Sequence, residues 1–570
     1  TDVQWWRNEG LALRQLVGRN GRMVEVKFGS EGFESLEPEA ANAAYAELAG
    51  KNVKQAQKRI VELLREPGSS ATGNGAPLHA EPESIEHPVR FFEKGERPLE
   101  YLPTRQWFAR LLDHKDLLLA KGEEVQWHPT FMHARYRDWT ENLNLDWCLS
   151  RQRYFGVPIP VWYPLDDRGQ PDYDEPLVAE REDLPIDPSV DVPRSYDASQ
   201  RGKPGGFVGD PDIFDTWFTS SMTPQISSHW GTDEERHRKL FPADVRPQAH
   251  DIIRTWTFYT IAKAALHENS VPWHNAMISG WVLDPDRKKM SKSKGRVMTP
   301  LPLLEKYSAD AGRYWAASAR LGADTAFDET VWKIGKRLVT KIFNAGKFVL
   351  SQQAEKHPIR AELDRAFVAK LAALVDGCTR DFEGYGYAHS LQETESFFWS
   401  QFTDTYLELV KVRARRFADG EEGAAAASGS AVASLRLGLS VLLRLMAPVL
   451  PYVTEEVWSW AFAEETGEAS IHAAPWPGAA DFEGIAAPDG ERSFELALAA
   501  HAAINKAKAD AEVSMGRDVV RLILAGSAED LEALAPVLDD VLAGTRVQAH
   551  ELVADAVSFE VRDAAFAPRS

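Results

Sequence analysis

The sequence has 570 residues, 44% hydrophobic and 26% charged, with 65 Lys and Arg against 85 Asp and Glu for a net charge of −20. That length excludes a single small module and predicts roughly four domains, while the composition supplies ample apolar material for a large core. The acidic balance excludes wholesale wrapping of nucleic acid but leaves room for a local basic groove, and two cysteines, Cys148 and Cys378, exclude a disulfide framework and a four-cysteine zinc site and fit a reducing, cytoplasmic compartment.

The chain opens at Thr1, without a charged-then-apolar leader, in what reads as mid-domain sequence; it is expected to be a truncated product. No fixed-period repeat is present. Residues 51–65 predict a helix, with Val53, Ile60, Val61 and Leu64 at helical spacing. Residues 67–88, rich in Gly, Ser, Pro and Asn, predict a surface loop. From 99 to 163 aromatics crowd beside Arg and Asp, and the Pro/Asp/Gly-rich stretch 164–211 predicts an insertion over the surface. Residues 213–330 alternate strand-like and helix-like patterns, which predicts an α/β unit. Beyond Lys333 the pattern is helical as far as Phe462, broken by a small-residue linker at 420–430. The segment after 480 reads as a separate small α/β domain: helix 494–511, strand 519–525, helix 528–542 capped by Ser527, and strands near 547–553 and 557–561. No run reaches the roughly 18 uninterrupted apolar residues of a membrane helix. The best candidate, 435–453, carries Arg436, Arg444 and two prolines, so no membrane partner is expected.

The most specific string is Lys289-Met290-Ser291-Lys292-Ser293, followed by Lys294 and Gly295, after the strand-like 276–283. Cations and hydroxyls alternate there around one apolar peg. Lysine ammonium groups so placed can follow the charge that spreads over a triphosphate as pyrophosphate departs. A bare Lys/Ser run is more often a solvated loop; the full string in this context outweighs that reading.

That string resembles the signature loop of class I aminoacyl-tRNA synthetases, and its surroundings resemble the valyl-tRNA synthetases. Asp146-Trp147-Cys148-Leu149-Ser150-Arg151-Gln152 is similar to the family segment re-entering the catalytic fold after the editing insertion, and 102–108 (LPTRQWF) to the segment leading back from it. Asp215-Thr216-Trp217-Phe218-Thr219-Ser220-Ser221 resembles the valyl wording rather than the isoleucyl one, and 447–458 (APVLPYVTEEVW) resembles a motif of the helical anticodon-binding domain. The matches span about residues 1–480.

The resemblance implies an α/β fold: the second half of a class I Rossmann-like catalytic domain with part of an editing insertion, then an α-helical anticodon-binding bundle and a small C-terminal α/β domain. The bounds expected are 1–125, 126–330, 331–480 and 481–570. It implies ATP-dependent activation of valine and its transfer to tRNA(Val), with hydrolytic editing of threonine, by a cytoplasmic monomer using ATP and Mg²⁺. Lys289 and Lys292 would be catalytic, with Met290, Ser291 and Ser293 completing the ATP loop; Arg296 departs from the family's usual Asn there. Trp217, Ile252 and Trp256 would line the amino-acid pocket, the last two on one face of a helix. Asp2 would hold the ammonium group of a misplaced amino acid in editing. Lys411, Arg413, Arg415 and Arg416 would meet tRNA phosphates, with Phe397, Phe398 and Trp399 near enough in sequence to stack on bases. No metal ligand set is assigned.

The family also carries an early His-x-Gly-His-type motif. No two of the 15 histidines here stand three apart, so this chain alone is not expected to complete adenylation. The rival readings are an isoleucyl-tRNA synthetase and a non-catalytic tRNA-binding module derived from a synthetase.

Overall fold

The computed structural model describes residues 2–67, 75–86, 89, 91, 98–288, 290, 299–352, 357–415 and 424–568. Packing divides the chain into two units: Thr1–Ala109 with Trp147–Tyr154 and Pro158–Ile213, and Arg110–Asp146 with Phe155–Val157 and Phe214–Ser570. This division differs from the four expected segments. It leaves the first segment at Ala109 rather than 125, and it assigns 158–213 to the first unit.

In the first unit, helix Val53–Leu64 forms where the apolar spacing predicts it, opened by a capping box in which the Asn52 side chain accepts from Gln55 N. The stretch expected as a surface insertion is more ordered than its composition suggests. Val161–Pro164 lies between Leu177–Val178 and Phe207–Gly209 in an antiparallel sheet, and Trp162 and Phe207 are buried.

The second unit is built on a three-stranded parallel sheet in the order β1 (Gln126–His128), β3 (Trp273–Ser279), β2 (Ala243–Ala249). Helices α1 (Lys115–Glu124), α2 (His133–Glu141) and α3 (Phe258–Glu268) accompany it. Ile261, Ala262 and Ala264 of α3 are buried, as are Trp273, Ala276 and Ile278 of β3. The strand expected over 276–283 is interrupted. A Cβ at Gly280 would lie 2.1 Å from the Ala323 carbonyl oxygen, so the backbone passes too close for any side chain, and pairing resumes at Val282–Leu283.

The helical bundle comprises α4 (Glu329–Ser351), α5 (Glu362–Glu383), α6 (Tyr387–Ser396), α7 (Leu407–Arg415), α8 (Ala424–Met446) and α9 (Pro451–Ser459), with a π-helical stretch Phe397–Tyr406 joining α6 to α7. The linker expected at 420–430 is helical from Ala424 onward. Its small residues serve close packing rather than flexibility: the Ser428 hydroxyl donates to Ala414 O (2.9 Å), and a Cβ at Gly429 would strike the His357 ring. Ala425–Met446 is long and apolar enough to cross a membrane by length and composition, but Leu435, Leu439, Leu442 and Leu443 are buried inside the bundle.

After the bundle come α10 (Ser493–Asp510), β4 (Val519–Ala525), α11 (Ala528–Leu534), α12 (Leu538–Thr545), β5 (His550–Val553) and β6 (Glu560–Phe566). β4 lies between β5, parallel, and β6, antiparallel. Ser527 caps α11 as expected, accepting from Asp530 N (3.0 Å), but the helix expected to run to 542 breaks at a 3₁₀ turn, Ala535–Val537, which contains Pro536. This region is not separate. Phe494, Leu496, Val541 and Leu542 belong to one apolar cluster with Phe367, Tyr406 and Leu409 of the bundle, and a Cβ at Gly544 would lie 2.9 Å from the Leu409 Cα.

Candidate functional site

A cavity of about 440 Å³ opens where β2 and β3 end, lined by Arg135, Asp138, Trp139 and Asn142 of α2 and its C-terminal end, by His250, Asp251 and Arg254 after β2, and by Trp281 after β3. Ligands of open α/β sheets settle outside the carboxyl ends of the strands, and this cavity lies there. Its walls carry two guanidinium groups and two carboxylates. The His250 ring packs on Trp281 (4.6 Å between centroids), and among the described residues its buried Nδ1 has no hydrogen-bond partner. A buried ring nitrogen left unmet beside a cavity is suited to a ligand contact. Sequence reading treated His250 only as a neighbour of a helix start. The signal it missed is positional: a histidine directly after a strand of the parallel sheet.

The signature loop follows the same end of the sheet. After Val282–Leu283, a turn is closed by the Asp284 carboxylate accepting from Lys288 N (2.8 Å). Met290 is half-buried, whereas Lys289, Ser291, Lys292, Ser293 and Arg296 lie outside the described residues.

Two of the three expected pocket residues stand on elements that touch. Trp217 stands on the short helix Thr216–Ser220, whose N-cap Asp215 accepts from Trp217 N (3.2 Å). The Trp256 indole donates to the Ser220 carbonyl at the far end of that helix (3.0 Å). Trp256 is itself held on the stacked Trp273 ring (5.2 Å, 8°) and under the Arg246 guanidinium (4.2 Å). Ile252 is half-buried. The single α-helical face expected for Ile252 and Trp256 is not what forms. A 3₁₀ turn, His250–Ile252, runs into a π turn, Ile253–Thr257, and α3 starts only at Phe258; such π turns concentrate at functional sites. None of the three lines the cavity above.

Beneath the same short helix, the ammonium group of buried Lys263 sits 3.2 Å over the Phe218 ring. Burial pushes its pKa down from the usual 10.5 to about 8. Because the folded value lies below the unfolded one, the buried charge destabilises the fold in full below pH 8, and the penalty fades as pH rises toward 10.5. Lys263→Met is therefore expected to raise stability by up to about 3 kcal/mol near neutrality, with the gain shrinking between pH 8 and 10.5 in urea unfolding curves.

The expected tRNA contacts divide. Arg415 is exposed, its guanidinium 5.6 Å from the Phe348 ring, and Lys411 is half-buried and paired with Glu408. Arg416 lies outside the described residues. Arg413 is a correction: its side chain is only 13% exposed and is bidentate to both Asp364 (2.7 and 2.8 Å) and Asp540 (2.9 Å twice), so its donors are already committed inside the protein. Phe397 and Phe398 are likewise core residues at 5% and 1% exposure, which removes them as base-stacking surfaces. Asp2 opens the helix Asp2–Glu9, and its side chain lies outside what is described.

The first unit holds a further polar cavity, about 530 Å³, which the sequence did not signal. There the Asp210 carboxylate accepts from the Trp107 indole and the Tyr163 hydroxyl (2.8 Å each), and burial raises the pKa of Asp212.

Comparison with known proteins places these features in a family. A family model described as tRNA synthetases class I (I, L, M and V) matches residues 24–328, and one described as the anticodon-binding domain of tRNA ligase matches residues 364–524. The chain is 48% identical over 560 residues to the valine–tRNA ligase of Thermobifida fusca, covering 96% of this chain and 60% of the relative. It is 46% identical over 567 residues to that of Salinispora tropica, covering 95% and 63%. The chain thus spans about three fifths of the length of the curated relatives it matches. Among solved structures, Mycobacterium tuberculosis methionyl-tRNA synthetase in complex with methionyl-adenylate aligns at 16% identity with a TM-score of 0.48, covering 65% of each chain.

Proposed function

The chain belongs to the class I tRNA synthetases of the isoleucine, leucine, methionine and valine group, and from that membership we propose that it forms the larger part of a valine–tRNA ligase. The observation that carries this reading is identity above 45% to valine–tRNA ligases along nearly the whole chain. The overall reaction joins valine to ATP as an adenylate with release of pyrophosphate, then transfers the acyl group to a terminal ribose hydroxyl of tRNA(Val).

In the proposed mechanism the carboxylate oxygen of valine attacks the α-phosphorus, and negative charge accumulates on the departing pyrophosphate. Lys289 and Lys292, on the loop that follows the sheet's carboxyl end, neutralise that charge. His250 and Arg254, in the cavity wall, bind and orient the nucleotide. Trp217, Ile252 and Trp256 enclose the isopropyl group, and Trp273 and Arg246 hold Trp256 rigid so that a larger side chain is excluded. Such an apolar pocket rejects threonine poorly, since threonine has nearly the shape of valine; hydrolytic editing, with Asp2 gripping the misplaced ammonium group, completes the selection.

No group of three or more His, Cys, Asp or Glu is positioned to cage a metal among the described residues. An Mg²⁺ would be carried largely by the phosphates of ATP, with Asp138 and Asp251 the carboxylates lining the cavity; the ion would supply charge neutralisation of the triphosphate. Lys411, Arg415 and Arg416 meet tRNA phosphates, and the protein works as a cytoplasmic monomer. The test is valine-dependent ATP–pyrophosphate exchange by the full-length protein, which is expected to be robust. Exchange that no amino acid stimulates would favour a tRNA-binding module instead.

A further inference from the structure

A second cavity of the larger unit, about 410 Å³, lies where β1 meets the turn between α5 and α6, away from every residue assigned above. Its volume is within the range of about 300–1,000 Å³ usual for small-molecule sites. One wall is aromatic. The His128 ring stacks on Tyr385 at 4.1 Å between centroids and 27°, with Trp127 and Tyr387 alongside.

His128 is fixed in orientation. Its Nε2 donates to Asn275 Oδ1 (2.9 Å), while the Asn275 amide donates to Asp244 O (3.0 Å). That arrangement sets the tautomer and leaves Nδ1 as an acceptor.

The turn that presents Tyr385 is strained in an informative way. Tyr385 adopts φ 62°, the left-handed conformation at which helices usually end on glycine, although glycines stand on either side of it at 384 and 386. A bulky aromatic held in that region, where its neighbours could adopt it freely, points to a use for the ring.

The other wall carries Arg320 and His389. Arg320 lines the cavity and is exposed, and among the described residues its side chain has no hydrogen bond or ion pair. His389 lines it as well and pairs with Asp381 (2.7 Å), which holds its pKa above the usual value and favours the imidazolium. Glu393 lies 3.8 Å from the same ring, and Arg320 is close enough to His389 to oppose its protonation.

An aromatic stack, an acceptor nitrogen, a guanidinium and a neighbouring imidazole converging on one apolar hollow match a planar heterocycle that carries a phosphate. We propose that this cavity binds one nucleotide, its base against the His128–Tyr385 stack and its phosphate held by Arg320 and His389. The nucleotide is either an unpaired residue of a bound tRNA or a free mononucleotide. The site is distinct from the ATP site of the ligase reading and does not depend on it.

The test is to titrate the protein with guanosine 5′-monophosphate, guanosine and inorganic phosphate by calorimetry. Saturable binding of the monophosphate is expected. Arg320→Ala should weaken it by about fivefold or more while leaving guanosine unaffected, because only the phosphate contact is lost. Tyr385→Asn keeps a residue that tolerates left-handed φ and should weaken monophosphate and guanosine alike, again by about fivefold or more. Thermal unfolding of both variants should match the parent, since Arg320 is exposed and asparagine suits the turn. If monophosphate binding is absent, or is the same in both variants as in the parent, the proposal is overturned; binding at the ATP site alone would give that second result. Displacement of the Arg320-dependent monophosphate by a tRNA transcript would identify the occupant as a tRNA residue, and lack of displacement as a free nucleotide.

Discussion

Lys292→Ala in the full-length protein is expected to slow valine-dependent ATP–pyrophosphate exchange by about 10² or more, with the KM for valine little changed. The split follows from where charge develops. In the proposed mechanism the Lys292 ammonium meets pyrophosphate as it leaves, an interaction stronger in the transition state than in bound substrate, so its loss would lower kcat rather than ground-state affinity. Lys289→Ala should act in the same direction. Exchange unchanged in Lys292→Ala would remove that residue from its role and leave the loop without one.

The second large effect concerns stability. Asp364 is fully buried and accepts four hydrogen bonds: from Tyr406 Oη (2.7 Å), from Ser430 Oγ (2.6 Å) and from both terminal nitrogens of Arg413. Arg413 continues to Asp540 of α12, so one guanidinium ties two bundle helices to the C-terminal region. Removing Asp364 leaves Arg413 with Asp540 alone and takes the shared acceptor from two guanidinium nitrogens and from the Tyr406 and Ser430 hydroxyls, out of reach of water. Asp364→Ala is expected to cost about 3–5 kcal/mol in urea unfolding. Arg415→Ala, on an exposed side chain nearby, should stay within about 0.5 kcal/mol. A loss for Asp364→Ala no larger than that would show the network to be a passive consequence of packing.

Arg413 also marks where sequence reading succeeds and fails. The cluster of Lys411, Arg413, Arg415 and Arg416 has the texture of a basic patch, yet alternation along α7 turns Arg413 inward and Arg415 outward. Which cation is buried depends on carboxylates far away in the chain, 49 and 127 positions off, and no local pattern reveals them. The small-residue run at 424–430 misled for the same reason: Ser and Gly signal flexibility in isolation but permit close helix contact when a partner is present. Local signals did better. The apolar spacing located helix Val53–Leu64, the apolar run located β4, and Ser527 marked the start of α11. At the site, the order of motifs and one strand, foreseen over 276–283 and formed over Trp273–Ser279, were legible in the sequence, whereas Gln126–His128 and Ala243–Ala249 were not singled out. The π turn that carries Trp256, the stack of Trp273 beneath it, and the unmet nitrogen of His250 depend on tertiary packing, which periodicity does not encode.

The most direct test of the account compares ATP–pyrophosphate exchange by the full-length protein with valine, isoleucine and threonine in turn. Valine should drive the fastest exchange. Isoleucine should drive almost none, because the pocket proposed for Trp217, Ile252 and Trp256 selects the smaller isopropyl group, and threonine should fall between, its hydroxyl finding no partner in such an apolar pocket. Exchange with isoleucine equal to or faster than with valine would contradict both the pocket and the assignment built on it.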